Sequence, residues 1–91
     1  MEEIIHNSIR VEGKVQGVAF RVSALRVAST LGIGGWVRNE SDGSVRIEAE
    51  GTEEQITQLL SWCNQGPDRA EVTLVTYEPG LVVGFDRFEV R

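Results

Sequence analysis

The stretch from Gly13 to Arg21, Gly-Lys-Val-Gln-Gly-Val-Ala-Phe-Arg, joins two runs of different periodicity. That junction constrains the fold more than any other part of the chain. Before it, Ile4 to Glu12 alternates as a strand does, with Ile5, Ile9 and Val11 on one face and His6, Ser8, Arg10 and Glu12 on the other. Asn7 interrupts the apolar face. After the junction, Phe20 to Leu31 carries Ala24, Leu25, Ala28 and Leu31 at the spacing of a buried helical stripe. A loop that feeds a helix N-terminus exposes amides with no intrahelical partner, and the helix dipole adds partial positive charge there. Arg21 falls in the first turn of that helix. Unpaired amides beside a guanidinium suit a phosphate-like anion. The bland alternative is that Gly13 and Gly17 are plain turn residues and Arg21 a solvated surface charge.

The rest of the chain extends the pattern. Gly32 is placed for a left-handed helix cap, with Ile33 beyond it. Trp36 to Glu40 reads as a strand, Ser41-Asp42-Gly43-Ser44 as a hairpin turn, and Val45 to Glu50 as the returning strand. In that strand Val45, Ile47 and Ala49 point inward and Arg46, Glu48 and Glu50 outward. Thr52 with Gln55 forms a capping box for a second helix, whose stripe is Ile56, Leu59, Leu60 and Cys63. Gly66-Pro67 stops it. Ala70 to Tyr77 reads as another strand, Pro79 to Gly84 as a loop, and Phe85 to Arg91 as a short last strand with Phe88 and Val90 on one face.

The order strand, helix, strand, strand, helix, strand predicts an α+β, ferredoxin-like split β-α-β sandwich with an added C-terminal strand. Two helices cover one face of a mixed, mainly antiparallel sheet. The first two strands then run parallel, two spacings or about 10 Å apart, with the third between them. Both finish at the end of the sheet where the first helix begins. Loop 13–20, Arg21 and Asn39 are thereby expected to converge. Asn39 reads equally well, on local grounds, as a turn-capping residue before Asp42-Gly43.

Composition narrows the function. A length of 91 residues predicts one domain, 1–91, able to bury roughly 60–65% of its extended-chain surface. The net charge is −5 and Lys14 is the only lysine, which argues against nucleic acid as a partner. His6 and Cys63 are the only residues of their kinds, so neither a structural zinc site nor an internal disulfide is expected. His6, on the polar face of its strand, reads as a solvated residue rather than a base, and Cys63 as an unactivated core thiol. No apolar run approaches membrane-spanning length, and the acidic N-terminus, with Glu2 and Glu3, lacks a secretory signal. A cytoplasmic protein is expected.

The run Val11-Glu12-Gly13-Lys14-Val15-Gln16-Gly17-Val18-Ala19-Phe20-Arg21 resembles the first motif of the acylphosphatase family. Gly35-Trp36-Val37-Arg38-Asn39 followed by Asp42-Gly43-Ser44-Val45 resembles the second, and Leu31-Gly32-Ile33 and Gly66-Pro67 fit the same pattern. The resemblance implies a hydrolase of carboxyl-phosphate anhydrides that uses no metal or other cofactor. It implies that the backbone of Gln16, Gly17, Val18, Ala19 and Phe20, with the Arg21 side chain, holds the phosphate, and that Asn39 positions the attacking water. A small acyl phosphate is the implied substrate and inorganic phosphate the product and inhibitor. A monomer is expected. Two positions depart from the family pattern. Val22 stands where bacterial members often carry an aromatic residue, and Glu40 stands where vertebrate-like members have Thr. Strand alternation turns Glu40 away from the side of Asn39.

The chemistry asks for little more. An acyl phosphate leaves as a carboxylate whose conjugate acid has a pKa of roughly 4, so no general acid is required near neutral pH. Two rivals remain. One is a non-catalytic anion-binding or interaction module of the same fold, such as the related domain at the N-terminus of a larger carbamoyl-transferring maturation protein; against it, the chain reads as complete soon after its last strand. The other is a nucleic-acid-binding sandwich, which needs aromatic residues exposed on the central strands and a basic face. The first and third strands offer no aromatic residue. A P-loop is excluded because its Gly-Lys-Ser/Thr end is missing.

Overall fold

A computed structural model describes residues 2–91. The elements are β1 (Ile5–Lys14), α1 (Phe20–Leu31), β2 (Gly34–Asn39), β3 (Val45–Gly51), α2 (Glu53–Cys63), β4 (Glu71–Gly80) and β5 (Phe88–Val90). The sheet order is β4-β1-β3-β2-β5. Every neighbouring pair is antiparallel except β2 with β5. This is the predicted ferredoxin-like sandwich, with β1 and β2 parallel on either side of β3.

Period two decides which side chains meet. Ile9 and Val11 of β1, Val37 of β2, and Val45, Ile47 and Ala49 of β3 are fully buried and pack with Phe20, Ala24 and Ala28 of α1 and Ile56, Leu59 and Cys63 of α2. Burying Phe20 alone is worth about 1.5–3 kcal/mol. Its ring also meets Trp62, with centroids 5.1 Å apart and planes tilted by 52°. Local signals set the helix ends. Gly32 and Ile33 N–H groups satisfy the carbonyls of Ser29 and Ala28 at the end of α1. At the start of α2 the Thr52 hydroxyl accepts from Gln55 N–H, and the Gln55 side chain accepts from Thr52 N–H. Burial pushes the Cys63 thiol up to about 12, which keeps it a protonated core group.

Several strands run further than alternation alone indicates. β1 continues past an irregularity between Glu12 and Gly13 to Lys14, β2 starts at Gly34, and β4 runs through Pro79 to Gly80. Proline is tolerated there because β4 is an edge strand.

The reading of His6 as solvated is corrected by the structure. His6 is 6% exposed, and Glu48 and Glu50 on the same outer sheet face are 8% and 5% exposed. Nδ1 of His6 lies 2.6 Å from a Glu50 oxygen and Nε2 lies 2.7 Å from a Glu48 oxygen. An imidazole that meets a carboxylate at each nitrogen donates at both, which is the charged form. Burial disfavours that charge, but the bonds to Glu50 and Glu48 outweigh it and hold the His6 pKa above its ordinary 6.5. What covers the cluster is the segment after β4, whose Val83, Gly84 and Phe85 amides all donate to Glu50. Burial raises the Glu50 pKa, and those amides with His6 overcome it and bring it down to about 2. Glu48, opposed by burial in the same way, is lowered by Ser8, His6 and Arg46.

These shifts fix the sign of a pH dependence. The carboxylates contribute stability above their ordinary value of 4.5; the Glu50 share is lost as pH falls toward 2, and the Glu48 share as pH falls through its own lowered value. The imidazolium contributes fully below 6.5, and its share is lost as pH rises through its raised value. Urea midpoints of the wild type are expected to peak between 4.5 and 6.5 and to decline on both sides. In His6→Gln the alkaline-side decline disappears while the acid-side decline persists. An identical profile for the two proteins would remove His6 from the balance.

Candidate active site

The loop between β1 and α1 is held by its own apolar residues. Val15, Val18 and Phe20 are buried in the core, while Gly17, Ala19 and Arg21 are exposed. Anchoring side chains on one side leaves the intervening peptide groups on the other. Gly17 has φ 73° and Ala19 φ 63°, whereas Val18 between them is not among the positive-φ residues. Alternating backbone handedness of this kind is the pattern of an anion nest. Ala19 is the one non-glycine residue with positive φ among those described. Such a residue stores strain of order 1–3 kcal/mol and persists only where its surroundings enforce it. No side chain caps the helix at Ala19, and its first turn has no acidic residue. Among the described residues, none of the amides from Gln16 to Phe20 donates to a backbone carbonyl.

Arg21 and Asn39 meet at this loop. Both line a pocket of about 250 Å³ with Val15, Gly17, Ala19, Phe20, Val22 and Val90. Asn39 reaches it because it shares a strand face with Val37, and its register partner Val45 is also the partner of Val11 in β1. Gln16 and Val18 do not line the pocket: Val18 is in the core, and the Gln16 side chain turns to the β2–β3 hairpin. Glu40 is on the opposite face, where its carboxylate accepts from Arg38 Nε at 3.0 Å. Its charge is therefore directed away from Asn39, as alternation predicts. Val22 stands half-exposed at the pocket rim.

Three larger depressions lie elsewhere among the described residues, one of them, about 440 Å³, lined by Asp86, Arg87, Glu89 and Arg91. Another, about 430 Å³, runs along the outer sheet face between Arg10, Arg46, Glu40 and Glu78. The third, about 560 Å³, lies beside Gly32, Glu50 and Phe85. Each is lined by carboxylates, whereas the pocket of Arg21 and Asn39 is lined by none among the described residues. No group of three or more His, Cys, Asp or Glu side chains suited to a metal ion occurs among the described residues. No helix among them is long and apolar enough to cross a membrane.

Comparison with known proteins gives this geometry its context. The family model described as Acylphosphatase matches residues 7–90. The chain belongs to the acylphosphatase family. It is 49% identical over 81 residues to the acylphosphatase of Synechococcus sp. strain CC9605, which covers 89% of this chain and 98% of that one. The solved acylphosphatase of Coxiella burnetii superposes with a TM-score of 0.94 at 39% identity, over 97% of this chain and 93% of that one. That of Bacillus subtilis gives a TM-score of 0.93 at 32% identity, over 96% and 98%. The chain is accordingly a hydrolase of acyl phosphates.

Two members of the site region were not legible as such. Val90 enters from β5, whose parallel pairing with β2 has no local signal. Gln16 was expected to contribute only its backbone, yet its side chain ties the loop to the hairpin. Gly13, where the chain leaves the regular ladder, has φ 125°, and a Cβ there would lie 2.1 Å from the Glu71 carbonyl oxygen. Gly13→Ala is expected to destabilise the fold by roughly 2–4 kcal/mol, since backbone on both sides must shift. An unfolding midpoint equal to wild type would show that this approach is not required.

Proposed function

We propose that the loop amides of Gln16 to Phe20 and the Arg21 guanidinium grip the phosphoryl group of an acyl phosphate while Asn39 orients the water that attacks phosphorus. The observation that carries this reading is the shared pocket, which brings Arg21, Asn39 and the positive-φ residues Gly17 and Ala19 together. The leaving carboxylate needs no proton near neutral pH, its conjugate acid having a pKa of about 4. What remains is to hold the water in line and to neutralise charge on the equatorial oxygens. A guanidinium offers paired donors in a planar fork, and preorganised amides need no reorganisation as charge develops. Asn39 suits the third role because its side chain is uncharged and both accepts and donates hydrogen bonds. Inorganic phosphate fits the same cradle and acts as a competitive inhibitor. A phosphomonoester leaves as a far poorer group and is turned over slowly. The chain works as a single, monomeric, cytoplasmic domain, with no metal in the reaction and no nucleic-acid partner.

Hydrolysis of benzoyl phosphate is expected to persist in the presence of a chelator. Arg21→Ala is expected to lose turnover and phosphate inhibition together, by a factor on the order of 100 or more. Arg21→Lys should be nearly as damaging, because a point charge does not reproduce the fork. Asn39→Ala should lose turnover to a similar extent while inorganic phosphate still inhibits. Wild-type turnover in Arg21→Ala, or loss of phosphate affinity with turnover intact in Asn39→Ala, contradicts these assignments.

A further inference from the structure

The Gln16 side-chain amide makes two hydrogen bonds across the site region. Its Nε2 donates to the Glu40 carbonyl at 2.8 Å and to the Ser44 carbonyl at 2.9 Å. Both donor hydrogens of the amide are thereby used. The acceptors close the turn that follows Asn39. Glu40 N–H donates to Ser44 C=O at 2.8 Å, and Gly43 N–H donates to Glu40 C=O at 3.2 Å. The turn is braced from outside as well. Asp42 accepts from the Ser44 amide at 2.9 Å and from the Ser44 hydroxyl at 2.6 Å, and Arg10 donates to its other oxygen. Ser44 is 3% exposed. Two carbonyls are thus held rigidly toward the loop, and a single side chain from the loop takes both.

The placement of this staple is what gives it a functional meaning. Gln16 is the residue before Gly17, and Glu40 is the residue after Asn39. The two parts of the site come from chain segments that are not covalent neighbours, and they are separated in the sheet by β3. We propose that Gln16 is a positioning residue, whose side chain sets the distance between the loop amides and Asn39. The inference rests on the reading that loop and Asn39 act on the same substrate. It assigns the Gln16 side chain a task separate from that of its backbone amide. Removing the side chain leaves each carbonyl its other hydrogen bond, so the turn is expected to survive. What loosens is the relation between loop and strand end. A shift of about 1 Å in an attacking group can cost on the order of 100-fold in rate, whereas an anion held by the loop and Arg21 is little affected.

The experiment is a double-mutant cycle between Gln16→Leu and Asn39→Ala, with benzoyl phosphate turnover, inhibition by inorganic phosphate and thermal unfolding measured for each protein. Gln16→Leu is expected to lower kcat by about 10-fold or more, with the phosphate inhibition constant changed by less than about threefold. In the Asn39→Ala background the same substitution is expected to lower kcat by less than about threefold, because the residue it positions is gone. A residue that serves only the fold lacks this coupling. Gln16→Met replaces Gln16→Leu if the latter fails to fold. Wild-type kcat in the single Gln16 variant, phosphate affinity falling as far as kcat, or a Gln16 loss undiminished beside Asn39→Ala overturns the inference alone. Wild-type turnover in Asn39→Ala removes the water-orienting role and this inference with it.

Discussion

The burial of Val15, Val18 and Phe20 is the interaction on which the rest depends. These side chains enter the core between sheet and helices, while Gly17 and Ala19 between them stay exposed. A loop without such anchors would be free to satisfy its amides against neighbouring carbonyls. Here hydrophobic packing fixes a loop whose amides, from Gln16 to Phe20, donate to no backbone carbonyl among the described residues. The strain of a left-handed Ala19 is maintained by the same packing. Phe20 both packs in the core and lines the pocket that holds Arg21 and Asn39.

The two faces of the sheet carry different kinds of interaction. The helix-covered face is apolar and ends at the pocket. The outer face is organised by charge: His6 between two carboxylates, and Arg38, Arg46 and Arg91 around the Trp36 ring at 4.8, 5.4 and 5.2 Å from its centroid. Glu40 belongs to that second system. Sheet alternation keeps its carboxylate out of the pocket that its neighbour Asn39 lines. The segment latched to Glu50 leads into β5, and β5 brings Val90 to the pocket wall. A buried ionic cluster on one face thus holds the strand that lines the site on the other.

Much of this was legible in the sequence because the decisive signals are local. The start of α1 at Phe20, the Gly32 cap and the Thr52–Gln55 capping box follow from a few adjacent residues, and the parity that joins Asn39 to Val37 follows from period two. The convergence of the loop with Asn39 followed from element order. What was not legible depends on long-range partners. Alternation put His6 on the outer face but carried no information about what covers that face, and the cover comes from residues 83–85. The hydrogen bonds of the Gln16 side chain and the entry of Val90 are of the same kind. Each needs a tertiary neighbour that no short window contains.

The most direct measurement of the central claim is a titration of the ¹⁵N-labelled protein with inorganic phosphate, followed by amide chemical shifts. If the loop is the phosphoryl cradle, the amides of Gln16 to Phe20 and the Arg21 side-chain resonance shift together with one saturating dissociation constant, and the groove beside Arg10 and Arg46 stays unchanged. Shifts centred on that groove, or no saturable shift in the loop, would contradict the account.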